Sequence, residues 1–281
     1  MTRENIKKFS YPVFYILTGY FIYRFLREVG PDVFASVDLI VLTGSLLLCI
    51  AAYCIFSWAL FLYISAPKLN LNFHQVFVAS NKYILGKYLP GKIWQFSGLY
   101  ILLNQQYSKK RQSVISLSVF QIISLCAGTV VSVYSVGSIY TDLPHLTYWF
   151  LYAGLLLVWM VLRITAQIST TTFLSSLLLV AGWFLMGLSF YACFEAFRPG
   201  ILTIKSAMIY PFSVGAGIVA IIAPGGLGIR EFIAGAVLQN LKSVDVALIA
   251  SSLILMRLVS LFSEIILTGI AWIYPKFLNK Q

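Results

Sequence analysis

The stretch Ala223-Pro224-Gly225-Gly226-Leu227-Gly228-Ile229-Arg230-Glu231 decides how this chain is read. It puts three glycines, a proline and an adjacent pair of opposite charges into nine residues, with apolar sequence on both sides. Proline removes a backbone donor and disfavours helix for the residue before it. Glycine weakens a helix but lets the backbone bend or approach a ligand closely. Charge at membrane depth is costly and marks a cavity or a pathway. A second, fainter break, Tyr88-Leu89-Pro90-Gly91-Lys92-Ile93-Trp94-Gln95, stands in the first half. The chain therefore reads as two halves, each built around one broken segment.

The sequence around these breaks is that of a membrane protein. Of 281 residues, 60% are apolar and 10% charged, and the mean hydropathy is +0.88. Soluble domains carry about 25% charged residues. The expectation is a single all-α transmembrane domain over residues 1–281, with no separate soluble catalytic domain. The net charge of +11 reads as cytoplasmic loop charge that sets topology, with anionic lipid headgroups as a second contribution, and not as a nucleic-acid surface. Cys49, Cys54, Cys126 and Cys193 lie in apolar runs without a C-x-x-C and read as reduced packing residues. His74 and His145 have no partners at ligand spacing, so no metal site is expected.

A spanning helix needs about 20 mostly apolar residues. Residues 1–30 give an extra, retained N-terminal helix, its span near 11–29, where Arg24 and Glu28 share a face. Further spans are expected at about 38–65, 113–137, 147–163, 173–197 and 245–274, making six. Lys109-Lys110-Arg111 reads as a polar loop before the third of them. The segments 72–106 and 205–240 are too polar or too broken to cross. Divided at Pro90-Gly91 and Pro224-Gly225, the first gives arms of about 15 residues, or about 22 Å of helix against about 30 Å of hydrocarbon. Both segments read as re-entrant hairpins, tolerable only where buried in protein or lining a wet cavity.

Span, proline turn, broken hairpin and span occur twice, over about 38–138 and 173–275. Pro67 to Pro90 is 23 residues and Pro199 to Pro224 is 25. Paired interrupted segments in matching positions point to a transporter binding site. Putting the N-terminus inside places Arg3, Lys7, Lys8, Lys68, Lys109, Lys110, Arg111, Arg163, Lys276 and Lys280 in the cytoplasm. Both termini are then cytoplasmic, and the hairpins dip from opposite faces as an inverted repeat.

Arg230 and Glu231 follow a glycine-rich turn that opens a helix arm, where free N–H groups and a guanidinium suit a phosphate. The alternative is an internal pair that only stabilises the hairpin. Lys92 stands likewise after Pro90-Gly91. In the last span Arg257 and Glu264 are seven residues apart, so they share a face, and that face must be the bundle interior. Pairing with Glu231 and Arg230 would give a buried four-charge network. Asn81, Lys82 and Lys87 read either as lining of the cytoplasmic hairpin or, the favoured reading, as solvated interface residues; for Glu195, neutralising a cation near the outer mouth is the less favoured reading. No paired carboxylates, nucleophile–base arrangement or nucleotide motif is present, so no catalytic residue and no cofactor is expected.

The segment from Pro224 to Glu231 resembles the P-G-G-x-G-x-R-E motif of the lysylphosphatidylglycerol synthase transmembrane (flippase-like) family, and Pro90-Gly91-Lys92 looks like that family's P-G-[K/R] motif. The resemblance covers about 39–274. Phe120-Gln121 stand where it implies an acidic–basic pair. It implies a stand-alone member without the aminoacyl-transferase domain of fused members. The substrate-binding set is then Pro90, Gly91, Lys92, Pro224, Gly225, Gly226, Gly228, Arg230, Glu231, Arg257 and Glu264. The expected function is translocation of a phospholipid or an isoprenoid-phosphate-linked sugar across the cell (plasma or inner) membrane, in envelope polysaccharide or lipid modification. The alternatives are an accessory subunit of a membrane polyprenyl-phosphate glycosyltransferase and a small-solute transporter.

Overall fold

A computed structural model describes residues 37–65, 69, 71–88, 93–107, 110–139, 170–219, 228–241, 244 and 246–278. The expected first and fourth spans lie outside these residues. What is described is helical, with no strand among the described residues. Four helices are long and apolar enough to cross a membrane: α1 (Leu39–Ser65), α4 (Lys110–Ile139), α5 (Thr170–Glu195) and α9 (Val246–Leu278). The described residues are all-helical, and the four long apolar helices among them are compatible with a membrane protein.

Between α1 and α4 lie α2 (Phe73–Asn81), the 3-10 turns Ile84–Tyr88 and Ile93–Phe96, and α3 (Ser97–Gln106). Between α5 and α9 lie α6 (Ile204–Ala207), α7 (Ile209–Val219) and α8 (Ile229–Leu238). The helical arms on either side of the breaks hold 9–11 residues, shorter than the 15 expected for the first pair, because 3-10 turns and kinks take up the remainder. Helix α4 begins earlier than expected. Lys110 and Arg111 belong to its first turn, since long basic side chains can reach the interface from a helix end.

Small residues bring α1 and α5 together. Ser45, Cys49, Ala52 and Ala59 recur on one face of α1 and are buried against Ser175, Gly182, Ser189 and Cys193 of α5. Small side chains let helix backbones approach in lipid, where no hydrophobic force between helices is available. Ser45 and Ser189 exchange hydroxyl-to-carbonyl bonds of 2.7 and 2.8 Å, and Ser175 Oγ donates to the Ala59 carbonyl at 2.7 Å. These contacts make α1 and α5 antiparallel. Asp38 caps α1 by accepting from the Ile40 N–H at 2.8 Å, and its own N–H donates to the Ala196 carbonyl at 2.9 Å. The start of α1 is thus tied to the end of α5.

Helix α9 runs parallel to α1. Met256 meets Ser189 and Cys193 at the level of Ser45, and Glu264 meets Tyr53 further along. Helix α4 runs against α1: Tyr63 stacks near Phe120, and Phe56 packs on Trp183, whose Nε1 donates to Ser124 at 3.2 Å. The end of α1 and the start of α4 therefore share one end of the bundle. The end of α5 and the start of α9 share the other. It follows that the two short-helix segments enter from opposite ends.

Both segments are irregular for identifiable reasons. Pro211 lacks an N–H and its ring opposes the carbonyl four residues back, so the helix breaks at Met208 between α6 and α7. The backbone groups around that break go to α4: the Phe212 N–H donates to Ser132 Oγ at 2.9 Å, and Ser135 Oγ donates to the Ser206 carbonyl at 3.1 Å. In the first segment α2 and α3 cross at Gly98, where a Cβ would lie 2.4 Å from the Ala79 carbonyl oxygen. At the start of α8 Gly228 has φ 83°, a conformation that favours glycine. Glu195 does not face a mouth; its carboxylate accepts the Gly200 N–H at 3.0 Å and closes the turn after α5.

Candidate functional site

Asn81 anchors the first segment between two long helices. Its Nδ2 donates to Ser57 Oγ of α1 at 3.0 Å, and Thr268 of α9 donates to its carbonyl at 3.1 Å. Six residues on, the Lys87 ammonium pairs with Glu264 of α9. Glu264 is fully buried, and its Oε1 also accepts the Tyr53 hydroxyl. The Lys87 ammonium stands 5.7 and 5.3 Å from the ring centres of Tyr53 and Tyr88. Neither Asn81 nor Lys87 is the solvated interface residue expected; each is satisfied inside the bundle. Lys82 lies over the Trp272 ring at 4.1 Å.

The second segment meets the same helix two turns away, about 10 Å along its axis. Glu231, on the first turn of α8, pairs with Arg257 and accepts the Gly228 N–H at 2.9 Å. Arg257 and Glu264 are both buried, so the face they share is an interior one. The expected four-charge network of Arg230, Glu231, Arg257 and Glu264 is not what forms: the structure has two separate pairs, Glu231 with Arg257 and Glu264 with Lys87. Glu264 takes Lys87 instead of Arg230, because the first segment reaches it from the opposite end.

Arg230 is left over. Its Nε is buried and has no hydrogen-bond partner among the described residues. Its side chain crosses Gly217 of α7, where a Cβ would lie 2.7 Å from Cγ and 2.8 Å from Nε. Arg230 lines a cavity of about 200 Å³ together with Lys87, Asn81, Gln95, Gln121 and Tyr210. Phe56, Phe120 and Trp183 supply apolar wall. Among the described residues no acidic side chain lines it. The residues there offer hydrogen-bond donors and positive charge in an apolar setting, which suits an anion with an apolar body.

Of the residues expected at the site, Gly228, Arg230, Glu231, Arg257 and Glu264 are gathered around the cavity and the middle of α9. Pro90, Gly91, Lys92, Pro224, Gly225 and Gly226 lie outside the described residues. Lys87, Tyr53 and Gln121 were not expected here. The only signal for Lys87 was its position five residues past Lys82 in a segment too polar to span. Among the described residues no cluster of three or more metal-ligating side chains occurs, and the four cysteines are free thiols. No family model matches the chain, and no curated protein sequence matches it.

Proposed function

We propose that this protein translocates a lipid with a phosphate headgroup, a phospholipid or an isoprenoid-phosphate-linked sugar, across the membrane that holds it. One observation carries the reading: two interrupted helix segments enter the bundle from opposite ends and both line one cavity, where Arg230 has no countercharge among the described residues. In this reading both segments are re-entrant and the halves form an inverted repeat, with six spans, cytoplasmic termini and the cell (plasma or inner) membrane as location. The headgroup occupies the cavity while the acyl or isoprenoid tails stay in lipid. The charge pairs to α9 close each segment onto the bundle, and alternating release of one and then the other exposes the cavity to each face in turn. The resemblance of Pro224–Glu231 to the flippase-like motif supports the same class.

The test is headgroup translocation of a fluorescent phospholipid in proteoliposomes of the purified protein, read by quenching of the outer leaflet. The wild type is expected to exceed both Arg230→Ala and empty vesicles. Equal rates in all three would sink the proposal. Absence of transport together with co-purification of a glycosyltransferase would favour the accessory-subunit reading instead.

A further inference from the structure

Among the described residues the charges around the cavity do not balance, and the imbalance has a sign. Lys87, Arg230 and Arg257 are cationic; Glu231 and Glu264 are anionic. Both carboxylates are committed, one to Lys87 and one to Arg257. Inside a membrane bundle an uncompensated cation is expensive, so the cavity is poised for a ligand that brings negative charge. What it lacks matters as much. An ammonium would need a carboxylate or an aromatic cage open to it. Each carboxylate already neutralises a cation, and the aromatic rings of the cavity, Phe56, Phe120, Trp183 and Tyr210, share it with Arg230, whose charge repels a second cation.

We infer that the site selects lipids whose headgroup is anionic and carries no ammonium, held by Arg230 with amide donors from Gln95 and Gln121, and that it rejects zwitterionic and aminoacylated headgroups. A cavity of about 200 Å³ has room for a phosphate with a small polar group. The inference deepens the translocation reading and takes from it the assumption that the ligand is a membrane lipid. The headgroup preference itself is measured without transport.

The experiment is native mass spectrometry of the full chain after incubation with equimolar phosphatidylglycerol, phosphatidylethanolamine and lysyl-phosphatidylglycerol. Phosphatidylglycerol is expected to be retained about tenfold or more over the other two, because all three offer Arg230 the same phosphodiester and only the other two add an ammonium that its charge repels. Arg230→Gln should bring the three within about twofold of one another, and Arg230→Lys should keep the order. Gln121→Glu adds an acid to the wall and should move retention toward lysyl-phosphatidylglycerol, a gain that misfolding does not mimic. A second arm titrates sn-glycerol 3-phosphate and follows fluorescence of the cavity residue Trp183. Saturation by the soluble anion with no headgroup order among the lipids would overturn the lipid assignment. Equal retention of all three lipids by the wild type, with no response to sn-glycerol 3-phosphate, would overturn the inference outright. A clear headgroup order in a protein that moves no lipid would remove the translocation reading and leave this one standing.

Discussion

The two interrupted segments meet α9 in the same manner and are sealed to different degrees. In the first, the Lys87 and Glu264 side chains are 13% and 0% exposed, and two tyrosines close over the pair. In the second, Arg257 is 8% exposed but Glu231 is 29% exposed, and Glu231 doubles as the cap of α8. The unpaired Arg230 sits beside the looser pair. The flanking helices differ in the same sense: α9 contributes Arg257 and Glu264 to the two pairs, while α4 presents Phe120, Gln121 and Ser124 to the cavity and no charge. If the segments are released in turn as proposed, the sealed pair is the harder of the two to open and the exposed pair beside Arg230 the easier.

The largest effect expected from this contrast is at Glu264. Glu264→Gln keeps an acceptor for Tyr53 but strips the countercharge from Lys87. Breaking a buried pair on one side costs about 3–5 kcal/mol, so the melting temperature of the purified protein should fall by about 6–20 °C. Adding Lys87→Met to Glu264→Gln should recover most of that loss, because the unpaired charge and not the missing bond is what destabilises. A double variant no more stable than the single one would show that Lys87 has another partner.

Glu231→Gln should cost less, about 1–2 kcal/mol, because solvent already screens the carboxylate and Arg257 has a further interaction. Differential scanning fluorimetry of Glu231→Gln beside Glu264→Gln measures the asymmetry directly. Equal losses at the two sites would remove the distinction between a sealed and a responsive segment.

The sequence made some of this legible and hid the rest for physical reasons. The long helices show in hydropathy because lipid demands about 20 apolar residues in a row. Arg257 and Glu264 could be assigned to one interior face from their spacing alone, since a helix repeats its face every two turns. The pairing of Arg257 with Glu231 followed from the cost of charge in lipid. The partner of Glu264 did not. Lys87 lies 177 residues away in sequence and carries no local mark that separates it from an interfacial lysine. Tyr53 is harder still, a single hydroxyl in an apolar helix whose role appears only when α9 is placed beside it. The break at Met208 was available in Pro211 but fell inside a run apolar enough to read as continuous.

The smallest expected change in stability separates positioning of Arg230 from packing of α7. Gly215 and Gly217 lie two residues apart on the same helix. A Cβ on Gly215 would meet Leu125 Cδ2 at 3.4 Å, an ordinary contact, whereas one on Gly217 would strike the Arg230 side chain at 2.7 Å. Replacing either glycine by alanine favours the helix by up to about 1 kcal/mol. Gly215→Ala should therefore keep both stability and phosphatidylglycerol retention. Gly217→Ala should stay within about 4 °C of the wild-type melting temperature, because Arg230 can swing aside, yet lose the headgroup preference much as Arg230→Gln does. If both alanine variants retained lipid equally well, the guanidinium would not need the groove that Gly217 provides, and the second segment would owe its response to the Glu231–Arg257 pair alone.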